Sequence, residues 1–301
     1  MTDTQKKQFK QTTFILNPRS GPLGGRRSTI RAIDRVWGSA SKNYKILVTS
    51  RAGEATRLAE DEAERGSDLI VAVGGDGTLN EVVKGVLERD VSIGLLPAGS
   101  GNGFARHWKI PLNVERACRG LLNPRIISCD VGIADEHLFL VTFGCGLDAD
   151  ISDRYARSTI RGMGSYIYHV LKAYFGYSSD EITVLEDGQI KYESKPLILT
   201  VCNTSGYGGG IIIAPDAALD DGLLDLCIIP PLSLKTTLTN LPKLFNGEIN
   251  SVPGYRHMQV KEVLIKRKAA SPIHVDGDPF SAGLEIHVKV KHRALRFALP
   301  A

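Results

Sequence analysis

The chain has little of what marks a disulfide-stapled or metal-built protein. Its 301 residues include only five cysteines, which lie far apart and form no C-x-x-C pair. None of its seven histidines falls in a cluster with the spacing of metal ligands. These absences argue against a disulfide framework and a zinc site, and they favour a reducing cytosol.

An excess of charge of one sign is also missing. The formal net charge is only +4, and the lysines and arginines are scattered along the chain. This balance argues against nucleic acid as a partner, because such binding needs a concentrated basic surface. A mildly basic face toward an anionic ligand or a bilayer stays open.

Long hydrophobic runs are absent as well. No stretch approaches the roughly 20 apolar residues of a membrane-spanning helix, and the opening "MTDTQKKQFKQTT" lacks the apolar core of a secretory signal. We therefore expect a cytoplasmic protein that meets a membrane only peripherally, at its inner surface.

The pattern that is present predicts two domains. From Thr13 to about Leu122, apolar strands alternate with helical stretches, which predicts an α/β domain with a mostly parallel sheet. After Cys129 the apolar runs become short and are separated by turns, which is typical of an antiparallel β-sandwich. We place the boundary near Ser128, giving domains of residues 1–128 and 129–301.

Three glycines surround one aspartate in "VAVGGDGTLNEVV", between a predicted strand and a predicted helix. Gly74, Gly75 and Gly77 allow the backbone to approach a ligand closely, so that its amides can cradle phosphate oxygens. Thr78 adds a hydroxyl, and Asp76 makes chemical sense if a cation lies between it and the phosphates. The alternative is an ordinary turn in which Asp76 caps the helix.

Two more strand ends carry loops of the same kind. "NPRSG" at 17–21 offers Asn17, Ser20 and Gly21, and "LPAGSGNGFAR" at 96–106 offers small polar groups before a helix. Ligands bind beyond the carboxyl ends of strands in open α/β sheets, so we expect the three loops to converge on one site.

Taken together, these three loops resemble those of the lipid kinases that include bacterial diacylglycerol kinases and sphingosine kinases. "RGMGSYIYHVLKAY", "APDAALDDGLLDL" and "VDGDPF" extend the resemblance over nearly the whole chain. It implies an N-terminal nucleotide-binding domain and a C-terminal β-sandwich-like lipid domain. The last strand of the chain can then return to the N-terminal domain. The resemblance also implies transfer of the γ-phosphoryl group of ATP to a lipid hydroxyl, with Mg²⁺.

The resemblance assigns residues to each role. The nucleotide contacts fall on Asn17, Pro18, Arg19, Ser20, Gly21, Thr49, Gly74, Gly75, Asp76, Gly77, Thr78, Gly99, Ser100 and Asn102. A structural magnesium site falls on Asp221 with the carbonyls of Ala218 and Leu223. The alternative for this last segment, "LDDG", is a plain turn, and a carbonyl-rich turn can also bind a cation.

Acidic residues are the candidates for proton removal from the lipid hydroxyl. We favour Asp278 as general base, with Asp276 as its neighbour or substitute and Asp76 as a competitor that could instead hold Mg²⁺. The alternative for "DGD" is a hairpin turn, since Asp-Gly is a strong hairpin signal. Asp130 matches an acid near the family's substrate cleft, although an acid there can also serve as a turn or cap residue.

Two departures from the family pattern matter, one for the acceptor lipid and one for the position of the acid. Gly103 follows Asn102 where many bacterial diacylglycerol kinases have aspartate, which is closer to the sphingosine kinase form. Asp278 stands where the family has glutamate, so the acid is one methylene shorter.

Some alternatives stay open at this point. The stretch "YIYHVLKAYFGY" places Tyr166, Val170 and Tyr174 on one helical face, either as ordinary core or as the wall of a lipid pocket. The glycine loop is shared with NAD kinases, and an inactive lipid-binding module is a third hypothesis. No oligomeric state follows from the sequence, and a homodimer stays open.

Overall fold

A computed structural model describes residues 9–20, 25–157, 177, 179–207 and 210–301. The chain divides into two compact units. The first combines Met1–Cys129 with Arg293–Ala301, and the second is Asp130–His292. The last strand therefore contributes residues to both units.

The first unit is built on a parallel sheet. Its strands follow the order β2-β1-β3-β4-β16 and are β1 (Thr12–Leu16), β2 (Tyr44–Val48), β3 (Leu69–Gly74), β4 (Ser92–Pro97) and the end of β16 (Glu285–Leu299). All four of its strand pairs are parallel. Every residue of β1, β3 and β4 is buried, which explains why these strands read as continuous apolar runs.

Helices connect these strands. They are α1 (Gly25–Ile33), which continues as a π-helical turn at Asp34–Gly38, α2 (Glu54–Glu64), α3 (Asp76–Val86), α4 (Gly103–His107) and α5 (Val114–Gly120). Helices α2 and α3 approach closely at Gly85, where any Cβ would collide with the Thr56 carbonyl oxygen. The Thr56 hydroxyl donates to the Glu81 carbonyl at 2.9 Å, so the two helices are also joined by a hydrogen bond.

The second unit contains antiparallel strands in two layers. One layer has the order β12-β11-β10-β7-β14-β15, and the other has β16-β13-β8-β9. The strands are β5 (Arg125–Ala134), whose first five residues belong to the first unit, β6 (His137–Phe139), β7 (Thr142–Gly144), β8 (Ile182–Glu186), β9 (Gln189–Ser194), β10 (Ile198–Cys202), β11 (Leu224–Ile229), β12 (Arg256–Val260), β13 (Glu262–Arg267), β14 (Pro272–Val275) and β15 (Asp278–Ser281).

Side chains from both layers form one buried core. Phe143, Val201 and Leu226 come from the first layer, and Val184 and Ile265 come from the second. The described helices of this unit are short: α6 (Leu147–Arg157), α7 (Leu234–Asn240) and α8 (Lys243–Asn246), followed by a 3₁₀ turn at Ile249–Ser251.

The predicted fold class is confirmed in both halves. A mostly parallel α/β sheet forms the N-terminal unit, and antiparallel strands packed as a sandwich form the C-terminal unit. Across the described ranges, no helix combines the length and the apolar character needed to cross a bilayer.

Candidate active site

The three loops predicted to bind phosphate follow neighbouring strands of the first unit. We name them the first loop (17–20, after β1), the second loop (74–78, after β3) and the third loop (98–102, after β4). Because β1, β3 and β4 are adjacent and parallel, their carboxyl ends lie at one edge of the sheet. This is the edge at which open α/β sheets bind their ligands.

Asn17 joins the first loop to the second. Its backbone N–H donates to the Val73 carbonyl at 3.1 Å, and its side-chain Nδ2 donates to Thr78 Oγ1 at 3.2 Å. Its Oδ1 accepts the Arg19 N–H at 3.0 Å, which closes the loop on itself. The Asn17 side chain therefore positions Thr78, and Thr78 is buried.

Glycines allow the second and third loops to touch through their backbones. The Ala98 N–H donates to the Gly74 carbonyl at 2.8 Å. A Cβ built on Gly75 would lie 3.1 Å from the Gly99 Cα, and a Cβ on Gly99 would collide with the Gly75 Cα. Side chains at these two positions would push the loops apart, so the contact depends on glycine at both.

Asn102 shapes the third loop from within. Its backbone has a φ of 51°, in the left-handed region that asparagine tolerates better than most residues. Its side-chain Oδ1 accepts the Gly99 N–H at 3.0 Å, and its Nδ2 donates to the Gly99 carbonyl at 2.7 Å. Asn102 is buried, and its side chain holds the conformation of the third loop.

Asp76 connects the second loop to helix α4. Its Oδ2 accepts the Gly103 N–H at 2.8 Å and its Oδ1 accepts the Phe104 N–H at 3.0 Å, so the carboxylate caps that helix. Burial raises the pKa of Asp76, and the two N–H donors oppose that rise by favouring the charged form. Asp76 therefore caps α4. The alternative of an ordinary turn predicts instead that Asp76 caps α3, the helix that begins at this residue.

Two clefts open beside the first loop. The larger has a volume of about 410 Å³, and its lining includes Asn17, Thr49 and Thr78. The smaller, of about 190 Å³, lies between the first loop, the start of α1 and Ala98 of the third loop. Six of the predicted nucleotide residues line these two clefts: Asn17, Pro18, Arg19, Ser20, Thr49 and Thr78.

The remaining predicted nucleotide residues lie in the same loops. Pro18 and Arg19 are exposed, Gly77 is in the first turn of α3, and Ser100 is exposed in the third loop. Gly21 lies outside the described residues.

Sequence reasoning missed several residues that line the clefts: Ser50, Arg51, Glu81, Thr29 and Ala55. Ser50 and Arg51 follow β2, so the strand-end rule that found the other loops could have found them. Glu81 could not be found that way. Its carboxylate accepts the N–H groups of Gly53 and Ala55, which caps helix α2 from a neighbouring helix.

In the second unit, Asp276 and Gly277 form the turn between β14 and β15. Both have positive φ, 52° and 89°, as a tight hairpin turn requires. The Asp276 carboxylate accepts backbone N–H groups from Leu140 (3.0 Å), Val141 (2.8 Å) and Thr142 (3.1 Å). Its own N–H donates to the Thr142 carbonyl at 2.8 Å. This acid anchors one strand to another.

Asp278 differs from Asp276 in its surroundings. It is the first residue of β15, opposite Val275, and it is exposed to solvent. An exposed carboxylate beside the turn can reach an incoming molecule, whereas Asp276 is committed to the 140–142 backbone.

Asp130 anchors the segment predicted to hold a structural metal ion. It is fully buried, and its carboxylate accepts the Gly222 N–H at 2.7 Å and faces His292 Nδ1 at 2.9 Å. Its N–H donates to the Leu219 carbonyl at 2.6 Å. Asp221 is exposed on that turn and accepts the Leu223 N–H at 3.0 Å.

A buried polar network that sequence reasoning missed lies directly before the Asp276 turn. Tyr207 donates to Asp148 Oδ2 at 2.8 Å, and His274 Nε2 lies 3.1 Å from the same oxygen. Burial and the Asp148 charge raise the pKa of Tyr207 well above its usual value. Spacing gives no signal for this network, because its members are 126 and 59 residues from Asp148.

The aromatic stretch proposed as core or pocket wall falls outside the described residues, including Tyr166, Val170 and Tyr174. Within the described part of the chain, no three His, Cys, Asp or Glu side chains cluster as metal ligands do.

Comparison with known proteins identifies the family. Residues 11–134 match the diacylglycerol kinase catalytic domain, and residues 141–299 match the YegS C-terminal NAD kinase beta sandwich-like domain. The chain belongs to the diacylglycerol kinase and YegS-like lipid kinase family. The resemblance inferred from the loop motifs is therefore confirmed, over nearly the whole chain.

Relatives in this lipid kinase family align with most of the length of the chain. A Chromohalobacter salexigens protein named "Probable lipid kinase YegS-like" is 31% identical over 89% of this chain and 86% of its own. The diacylglycerol kinase of Bacillus subtilis is 26% identical over 90% of each chain. A Bacillus anthracis diacylglycerol kinase of known crystal structure has the same fold, with a TM-score of 0.78 at 24% identity, covering 98% of each chain.

Proposed function

We propose that this family member is an ATP-dependent lipid kinase that transfers the γ-phosphoryl group to a lipid hydroxyl. The observation that carries the proposal is the convergence of three loops, two of them glycine-rich, at one sheet edge, linked by the Asn17–Thr78 bond and the Gly75–Gly99 contact. In this proposal the nucleotide belongs to residues 1–128 and the lipid to residues 129–301.

Phosphoryl transfer asks the protein mainly for positioning and for neutralisation of charge. Backbone amides of the second loop and the N-terminus of the eleven-residue helix α3 favour phosphate oxygens. The Thr78 hydroxyl, held by Asn17, adds a side-chain contact to the phosphates, and Arg51 in the larger cleft adds a positive charge. These groups support a triphosphate as the ligand.

Magnesium fits the oxygen donors of this chain. Mg²⁺ is usually held by one or two carboxylates together with substrate phosphates, and Asp76 supplies a carboxylate in the second loop. When bound, the ion would neutralise charge on the phosphates. The second site would use Asp221 with the carbonyls of Ala218 and Leu223, an all-oxygen donor set that also suits the ion.

For the general base we favour Asp278. The carboxylates of Asp276 and Asp76 already accept two or more backbone N–H groups each, so both are held in place by contacts with the protein's own backbone. Asp278 is exposed, and its carboxylate can meet a lipid hydroxyl as the proton leaves. In this scheme Asp276 positions the turn that carries Asp278.

Diacylglycerol is the first acceptor to test, because relatives along the full length are named diacylglycerol kinases. A sphingoid base stays in the panel because Gly103 follows Asn102. An acceptor of this kind lies in a bilayer, so the proposal includes contact with the inner membrane surface.

The test is transfer of label from γ-labelled ATP and Mg²⁺ to a panel of lipid alcohols, followed by chloroform extraction. We expect labelled product with at least one lipid, and no product without Mg²⁺. Folded protein that binds ATP but labels no lipid would overturn the proposal, and labelling of NAD would redirect it to the NAD kinase alternative.

A further inference from the structure

One segment of the second unit exposes an unusual amount of apolar surface. Seven large hydrophobic side chains are exposed among the described residues, and four of them lie within twelve consecutive positions. These four, which we name the apolar stripe, are Leu234 (41% exposed), Leu238 (54%), Leu241 (46%) and Phe245 (53%). Single exposed hydrophobic residues need no explanation, but a cluster does.

Helical geometry places the apolar stripe on one side of the segment. Helices α7 and α8 are joined by Leu241 and Pro242, whose backbones both have right-handed helical angles. At about 100° per residue, side chains at positions 234, 238, 241 and 245 fall within an arc of roughly 60°. The stripe is therefore continuous across the two short helices.

The other side of the same segment is fixed to the protein. Asn240 is buried, and Leu244 packs against a buried core cluster. The Leu244 carbonyl accepts the Ile212 N–H at 2.6 Å. One side of the segment is thus held against the protein, and its apolar stripe is left to solvent.

Charge around the apolar stripe suits an anionic surface. Residues 226–247 contain no aspartate or glutamate but include Lys235 and Lys243. Lys235 is exposed, and Lys243 donates to the Ser251 carbonyl at 3.1 Å. The exposed Glu248 follows directly after this range, so the segment from 226 to 248 carries two lysines and one acid. Apolar side chains beside lysine are typical of a segment that lies in a membrane interface.

We propose that the apolar stripe docks this protein on an anionic phospholipid bilayer. The choice of a bilayer rests on the proposed lipid kinase function, since such an enzyme must reach an acceptor held in a membrane. A second copy of the chain is less well matched. Four half-exposed side chains offer well below the ~800 Å² that each partner contributes to a standard protein interface.

The test measures binding of the full-length protein to sedimented vesicles. It compares phosphatidylcholine vesicles with vesicles that also contain phosphatidylglycerol. The variant is L238Q/F245Q, and L234Q/L241Q is a second pair should the first fold poorly. The matched control is I190Q, because Ile190 is exposed to a similar extent on β9, outside the stripe. Thermal unfolding reports whether each variant is folded.

We expect L238Q/F245Q to weaken binding to the anionic vesicles about tenfold or more, because two large apolar side chains lose their burial. K235Q is expected to weaken it by about fivefold, in a salt-dependent way. I190Q is expected to bind like the wild type. Equal binding by wild type and both stripe variants, or an equal loss in I190Q, would overturn the proposal. Dimerisation that depends on the stripe, with vesicle binding unchanged, would also overturn it in favour of a second copy.

Activity separates this inference from the proposed function. The rate with diacylglycerol in vesicles is compared with the rate with a short-chain diacylglycerol dispersed in detergent. We expect the ratio of the two rates to fall in L238Q/F245Q and to stay constant in I190Q. Vesicle binding that depends on the stripe, without phosphoryl transfer to any lipid, would overturn only the kinase proposal. Phosphoryl transfer by a protein whose vesicle binding does not depend on the stripe would overturn only the docking proposal.

Discussion

The loops of the first unit are held by more kinds of group than the turns of the second unit. In the first unit, glycine backbones touch at Gly75 and Gly99, an amide side chain, Asn17, links two loops, and the Asp76 carboxylate caps α4. In the second unit, carboxylates hold the turns: Asp276 accepts three backbone N–H groups and Asp130 accepts one beside His292.

This difference separates motif residues that shape a site from those that can act in it. A carboxylate that accepts several N–H groups is stabilised as an anion and fixed in place. It therefore organises its turn. In the proposed function Asp276 positions the turn and the exposed Asp278 acts as the base, which mutation can test.

The largest expected effect is on Asp278. We expect D278N to lower kcat for lipid phosphorylation by about 10²–10⁴-fold, because it removes the proposed general base. Urea unfolding shows separately whether the variant keeps its stability. E262Q, which alters another exposed acid of the second unit, serves as control. Full activity in D278N would contradict the assignment.

For a physical reason, sequence patterns predict the arrangement of the loops in the first unit better than the contacts of the acids in the second unit. Glycine loops after apolar strands report a local conformation, and the sheet topology then brings the loop ends together. The partner of a carboxylate is not local: Asp276 bonds to backbone some 134–136 residues away, and Asp148 meets His274 across 126. Asp276 lies in a sequence motif and Asp148 does not, and whether each acid anchors or reacts depends on tertiary contacts.

The second-largest expected effect concerns the contact between the second and third loops. We expect G99A to lower kcat/KM for ATP by about 100-fold, since the new methyl collides with the Gly75 backbone and displaces the third loop. G75A should be milder, because its Cβ would lie 3.1 Å from Gly99.

The control for both is G38A, whose Cβ would have only the Tyr44 hydroxyl within 4 Å, at 3.7 Å. Steady-state kinetics with varied ATP gives the comparison. Normal ATP kinetics in G99A would show that the two loops do not work as one site.

The third effect is on stability in the second unit. We expect D276N to lower the free energy of unfolding by about 2 kcal/mol, because the charged acceptor of three N–H groups is lost. D187N is a matched control, since Asp187 occupies a similar Asp-Gly turn with a φ of 51° and is exposed. Unchanged stability with abolished activity in D276N would instead make Asp276 the base.

The smallest effect concerns His107, at the end of helix α4 in the first unit. Burial lowers the pKa of His107 to about 4, although a helix C-terminus favours the protonated ring. Between pH 6.5 and 4 the unfolded chain binds a proton that the folded chain does not. The contribution of the neutral His107 ring to the free energy of unfolding is therefore full above pH 6.5 and is lost as the pH falls toward 4.

Comparing H107Q with the wild type isolates this contribution. From pH 6.5 down to about 5, we expect the wild type to lose about 1 kcal/mol more stability than H107Q, allowing for the partial exposure of the ring. Urea unfolding at several pH values measures the difference. Parallel pH profiles would show that His107 titrates normally.

The most direct test of the central claim is backbone hydrogen–deuterium exchange with a non-hydrolysable ATP analogue and Mg²⁺, and separately with inorganic triphosphate. If the three loops form one phosphate cradle, amides in 17–20, 74–78 and 99–103 should gain protection together with both ligands. Bound nucleotide that protects only one of these loops, or none, would contradict the account.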